Sequence, residues 1–148
     1  METLFTIGYT KTSLRNFVDR LRDAGVDCVA DVRLHNTSQL AGFAKRDDLE
    51  FILTEGFGIG YIHRPEFAPA EGLFDTIKKR KNWNAYVDGY LNLIEERSMA
   101  HDFLRLAEEQ GFRKPCLLYA EDKPEKCHRR LLVEAIADAV EGLEVVHL

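Results

Sequence analysis

The chain has 148 residues and a formal charge of −5. It is long enough to bury a core without disulfide or metal staples, and it carries no overall basic field to draw it to nucleic acid or an anionic membrane surface. No run approaches the roughly 20 apolar residues that span a bilayer, and Met1-Glu2-Thr3-Leu4-Phe5 is too polar, then too short, for a secretory leader. Three cysteines, Cys28, Cys116 and Cys127, form an odd, sparse set that fits reduced thiols and a cytoplasmic location.

In chain order, Leu4 to Gly8 reads as a first buried strand. Thr12 or Ser13 caps a helix whose apolar positions, Leu14, Phe17, Val18 and Leu21, follow helical spacing until Gly25 stops it. Val26 to Arg33 reads as a second strand, and Leu34 to Lys45 as an ordered loop without a clean period. A short helix from Asp47 or Asp48 runs through Leu49, Ile52 and Leu53. Gly58 to Ile62 is the third strand, ending at His63-Arg64-Pro65, and a proline-bearing loop follows to Gly72.

Leu73 to Lys81 reads as a basic helix. Asn82 caps a longer one with Trp83, Tyr86, Tyr90, Leu93 and Ile94 on one face, and Ser98 caps another that carries Phe103, Leu104 and Ala107 to Gly111. Pro115 to Tyr119 is the fourth strand, Cys127 to Val140 an amphipathic helix, and Leu143 to Leu148 a final strand. Strands alternating with helices imply one three-layer α/β domain over residues 1–148, a mainly parallel sheet with helices on both faces and right-handed crossovers.

In such sheets ligands bind outside the carboxyl ends of the strands. Those ends carry Gly8-Tyr9-Thr10, then Asp31-Val32-Arg33, then His63-Arg64, then Glu121, with Cys127, His128 and Arg129 opening the helix after the fourth strand. A helix start offers free N–H groups and a positive dipole end, so the rim favours an anionic ligand. Asp31 and Glu121 are candidates to divide acid and base roles, or else to order the rim by pairing with Arg33 or Arg129. Cys127 is a candidate nucleophile, its thiolate favoured by the helix start and Arg129, or else simply the first small residue of the helix. No glycine-rich anion loop follows it, which argues against phosphatase or rhodanese chemistry. Arg33 and Arg129 suit a phosphate or carboxylate, with Tyr9, His63, Arg64 and His128 lining the pocket.

No Cys-x-x-Cys or His-x-x-x-His pair is present, so no metal or cofactor is expected; a site from Asp31, His63 and Glu121 is the alternative. Gly56-Phe57-Gly58-Ile59-Gly60 precedes a strand instead of following one and reads as a helix stop, not a dinucleotide loop. Lys78-Lys79-Arg80-Lys81 beside Trp83, Tyr86 and Tyr90 is either a nucleic-acid surface or a basic helix end followed by an aromatic core face.

Thr6-Ile7-Gly8-Tyr9, Asp31-Val32-Arg33, Tyr61-Ile62-His63-Arg64-Pro65, Leu117-Leu118-Tyr119-Ala120-Glu121 and Cys127-His128-Arg129 come in the order of one known family. The chain resembles the domain-of-unknown-function 488 family over nearly its whole length. Relatives often carry a cysteine where Tyr119 stands, so Cys127 has no counterpart here for a dithiol or a cysteine-pair metal site. The resemblance implies a three-layer α/β domain with a polar pocket built from these motifs, and no reaction comes with it.

The sequence therefore points to a small cytoplasmic α/β enzyme acting on an anionic substrate such as a nucleotide or nucleic-acid component. Paired carboxylates fit a hydrolase or glycosidic-bond cleavage. A non-catalytic ligand-binding or sensor module, or a nucleic-acid interaction protein, is the alternative. The oligomeric state is left open.

Overall fold

The computed structural model describes residues 1–70, 72–73, 83–120 and 128–148, the side chains of residues 128 and 129 excepted. The apolar runs become five strands: β1 (Thr3–Gly8), β2 (Cys28–Asp31), β3 (Gly60–His63), β4 (Pro115–Tyr119) and β5 (Glu144–His147). They lie in the order β3-β2-β4-β1-β5, and every pairing is parallel. β1, β2 and β4 are buried at every residue, while β3 and β5 at the edges are partly exposed. That contrast follows from position, because an inner strand is covered by a neighbour on each side and a helix layer on each face.

The main α-helices among the described residues are α1 (Leu14–Ala24), α2 (Arg46–Phe51, continued by a π-helical turn over Ile52–Gly56), α3 (Trp83–Glu96), α4 (Met99–Gln110) and α5 (His128–Ala139). Strand alternation sorts the core into two halves. Phe5, Ile7, Val29, Cys116 and Leu118 face Phe17, Val18 and Leu21 of α1 and Leu49 of α2. Leu4, Ala30, Leu117 and Tyr119 face Tyr90 and Ile94 of α3, Met99 and Phe103 of α4, and Leu131, Leu132 and Ile136 of α5. The fold is thus a three-layer α/β domain with helices on both faces of a parallel sheet.

The strand order places the site. From β1 to β2 to β3 the chain advances across the sheet with α1 and α2 on one face; from β3 to β4 to β5 it returns with α3, α4 and α5 on the other. Reversing direction while keeping one hand of crossover requires that change of face. β4 lies between β1 and β2, yet its outgoing connection leads to the opposite layer from theirs. In open α/β sheets such a change of direction marks the carboxyl ends of the adjoining strands as the place where ligands bind.

Ser13 caps α1 by accepting from the Asn16 N–H (3.1 Å), and Gly25, at φ 72°, ends it in the left-handed conformation that glycine adopts without a Cβ clash. Three expectations need correction. β2 is shorter than Val26 to Arg33. At its start the Val26 N–H bonds back to Leu21 (3.0 Å), and the Asp27 carboxylate is taken by the N–H groups of Arg113 (2.7 Å) and Lys114 (3.1 Å). At its end the Arg33 N–H turns to Asp31 Oδ1 (3.1 Å), an Asx-type turn that lifts the chain from the sheet. Within Leu34 to Lys45, Gln39–Ala44 forms 3₁₀ turns broken by a kink at Gly42 (φ 58°), the first opened by Ser38, whose Oγ accepts the Leu40 N–H. Ser98 precedes α4 but sits at φ 50° and makes no side-chain cap bond.

Candidate functional site

Alternation along the strands points Tyr9, Asp31 and Tyr61 toward the face covered by α1 and α2. Tyr9 continues the Phe5–Ile7 row, Asp31 follows Val29, and Tyr61 is the register partner of Val29 on β3. Asp31 is fully buried. Its Oδ1 accepts from Arg33 N (3.1 Å) and Arg33 Nε (2.8 Å). Its Oδ2 accepts from Arg33 Nη2 (2.8 Å), Asn36 Nδ2 (3.0 Å) and the Tyr61 hydroxyl (2.5 Å). Both carboxylate oxygens are therefore filled. Burial works against the charged form of Asp31, but the Arg33 hydrogen bonds and charge, with those from Tyr61 and Asn36, outweigh it and hold the carboxyl below its ordinary value. The Tyr61 hydroxyl is pushed up, first by burial and then by the Asp31 charge, so it stays a neutral donor.

Arg33 is 5% exposed and held from several directions. Nε and Nη2 grip Asp31 as a two-pronged pair, Nη2 also donates to the Ala44 carbonyl (2.7 Å), and the Tyr9 ring covers the guanidinium at 5.1 Å. Burial lowers the affinity of Arg33 for its proton, but Asp31 more than restores it, and the net shift is upward. Nη1 is buried and, among the described residues, has no hydrogen-bond partner. The Arg33 carbonyl meets His63 Nε2 at 3.0 Å, and the Arg64 N–H donates to the Asp31 carbonyl (2.8 Å). The Thr10 N–H donates to the Ala120 carbonyl (3.1 Å), which joins the loop after β1 to the end of β4.

Of the residues singled out from sequence, Tyr9, Asp31, Arg33 and His63 are brought together at the rim. Arg64 is beside them, with its guanidinium turned to the His63 carbonyl (3.0 Å) and toward Glu66 (3.7 Å). Glu121 and Cys127 lie outside the described residues, as do the side chains of His128 and Arg129, whose backbone opens α5. Tyr61, Asn36 and the Ala44 carbonyl were not singled out as site residues. Tyr61 had a readable signal, since it stands two residues before His63 and so on the same strand face; Asn36 and Ala44 had none.

The tract Lys78 to Lys81 also lies outside the described residues. Of its aromatic neighbours, Tyr86 and Tyr90 are buried, and half-buried Trp83 stacks on Tyr86 at 5.2 Å. Among the described residues no His, Cys, Asp and Glu side chains gather into a group able to hold a metal ion, and no helix is long and apolar enough to cross a membrane.

A family model described as "Domain of unknown function DUF488" matches residues 13–136. No curated protein and no solved structure gives a significant match.

Proposed function

The chain belongs to the DUF488 family, whose description names no activity, and from the site itself we propose that the protein is an enzyme that binds a small anionic substrate, of the nucleotide class, at the carboxyl rim between β1, β2 and β4. The observation that carries this reading is the buried Asp31–Arg33 pair, covered by Tyr9, with Arg33 Nη1 left without a partner among the described residues. A buried donor without an acceptor costs about 1–3 kcal/mol, and such a group kept at the strand-end rim fits one that awaits a ligand oxygen.

Asp31, with both oxygens filled, serves as a positioning residue that fixes the plane of Arg33. Acid–base work then falls to Glu121, with Cys127 at the pocket wall. Because Asp31 balances the charge of Arg33, the net attraction for an anion comes from Arg64, Arg129 and the start of α5. Hydrolysis of a phosphorylated or glycosidic compound is the reaction class in view. A non-catalytic sensor using the same pocket is the competing reading. The nucleic-acid reading is weaker, since two of the three aromatic rings beside the basic tract are buried.

A thermal-shift screen of the full chain against nucleotides, sugar phosphates, nucleobases and simple carboxylates tests the proposal, because a ligand that binds only the folded state raises Tm by mass action. The expected result is a shift from one phosphorylated class that is lost in Arg129→Ala, followed by turnover that Glu121→Gln abolishes while binding persists. Binding without turnover favours the sensor. No shift from any class contradicts a small-molecule site.

A further inference from the structure

Arg33 has five N–H bonds to place, and the structure accounts for three of them. Nε–H and one Nη2–H go to the two oxygens of Asp31 at 2.8 Å each, and the second Nη2–H goes to the Ala44 carbonyl at 2.7 Å. The two that remain are both on Nη1. A guanidinium offers two edges on which two parallel N–H bonds can meet two oxygens, one formed by Nε and Nη2 and the other by Nη2 and Nη1. Asp31 closes the first. Ala44 occupies half of the second, leaving a single donor nitrogen at that end.

The Ala44 carbonyl is not easily given up. Ala44 is fully buried, and its segment is tied back through the Arg46 N–H to the Asn36 carbonyl (2.8 Å) and through Asn36 Nδ2 to Asp31 (3.0 Å). The Arg33 Cζ stands over the Tyr9 ring, 5.1 Å from its centroid, so that ring shields the guanidinium on one side.

We infer that Arg33 receives one oxygen of a phosphoryl group, end-on at Nη1, and that the site selects phosphoryl groups over carboxylates. This rests on the anion-site reading above and names the chemistry it takes. A carboxylate gains most from two parallel N–H bonds made to its two coplanar oxygens, and that geometry is closed here. A phosphoryl group has terminal oxygens that diverge tetrahedrally, so one can meet Nη1 while the others face different donors along the rim. With its charge already balanced by Asp31, Arg33 contributes direction more than attraction. It therefore discriminates by shape between anions that a free arginine would hold alike.

The test is nitrogen–proton spectroscopy of the arginine side chains in the full-length protein, titrated first with inorganic phosphate and then with acetate. Arg33 signals are assigned from their loss in Arg33→Lys, or by through-bond correlation from the Arg33 backbone if that variant does not fold. Phosphate is expected to shift the Nη1 hydrogens while those of Nε and Nη2 stay in place. Acetate is expected to bind about tenfold or more weakly, the equivalent of one charge-assisted hydrogen bond lost. If acetate binds as well as phosphate and moves Nη2 together with the Ala44–Lys45 amides, the ligand has displaced Ala44; the selectivity inference is then overturned and the anion site stands. Phosphate that perturbs other rim residues but not Arg33 overturns the inference in the same way. No perturbation by either anion overturns the anion site itself.

Discussion

Five hydrogen bonds converge on the two oxygens of Asp31, which makes it the residue on which the rim is most sensitive to change. Asp31→Asn keeps the shape but leaves Arg33 buried without its counter-charge, and breaking a buried pair from one side costs about 3–5 kcal/mol. Chemical denaturation of the two proteins at neutral pH measures it. The pH dependence has a definite sign. Asp31 titrates below its ordinary 3.8 in the fold, so on acidification the unfolded chain takes up the proton first. Its stabilisation is complete above 3.8 and is lost as the pH falls toward the lower folded value. The gap in stability between the native protein and Asp31→Asn is expected to close over that acid range; a gap unchanged down to complete acid unfolding would contradict the pairing. A thiol prediction is equally direct. Burial, with Asp27 adding to it, pushes the Cys28 thiol up to about 12, and Cys116 is buried in β4. Cys127→Ser protein should therefore consume no thiol reagent when native and react at both remaining cysteines once unfolded. Asp31, Arg33, Tyr9 and His63 were legible in the sequence because a strand end announces itself by where the apolar run stops. Tyr61 and Asn36 were less so, because their partners depend on which strand lies beside β2 and on how the following loop folds back.

At the level of elements, termini with strong local chemistry were readable and those set by tertiary contacts were not. Ser13 and Gly25 bracket α1 as expected. Ser13→Ala removes the bond to Asn16 and should cost about 0.5–2 kcal/mol. Gly25→Ala places a Cβ at φ 72° and should cost about 1–2 kcal/mol through backbone strain, since the nearest atom that Cβ would meet, Lys114 Nζ, is 3.6 Å away. Denaturation midpoints of the two variants check both, and a neutral Gly25→Ala would mean that the left-handed cap is absent. β2, by contrast, looked longer than it is. Val26 and Arg33 suit a strand, but the Val26 N–H is diverted to the Leu21 carbonyl and the Arg33 N–H to Asp31 Oδ1. Neither diversion has a local signature. Ser98 illustrates the opposite error, a residue with capping chemistry whose left-handed backbone keeps its side chain from using it.

The whole molecule adds what no segment contains, the strand order. Alternating strands and helices imply a parallel sheet, but not that β4 inserts between β1 and β2. That insertion brings Tyr9 from the end of β1 over Arg33 from the end of β2, and it sends the connection after β4 to the opposite layer. A ligand received at this rim, and not in another concavity, is held by the loops that follow β1 and β2. The described residues offer a rival in the open groove of about 470 Å³ along β1 and β5, lined by Thr3, Arg20, Asp23, Lys114 and Glu144 among others. Amide hydrogen–deuterium exchange of the full chain, with and without a saturating nucleoside monophosphate, separates the two. With the ligand at the rim, protection is expected at the amides that follow β1 and β2, at residues 9–13 and 32–37, with β5 unchanged. Protection confined to β5 and the end of α1, with those loops unaffected, would contradict it.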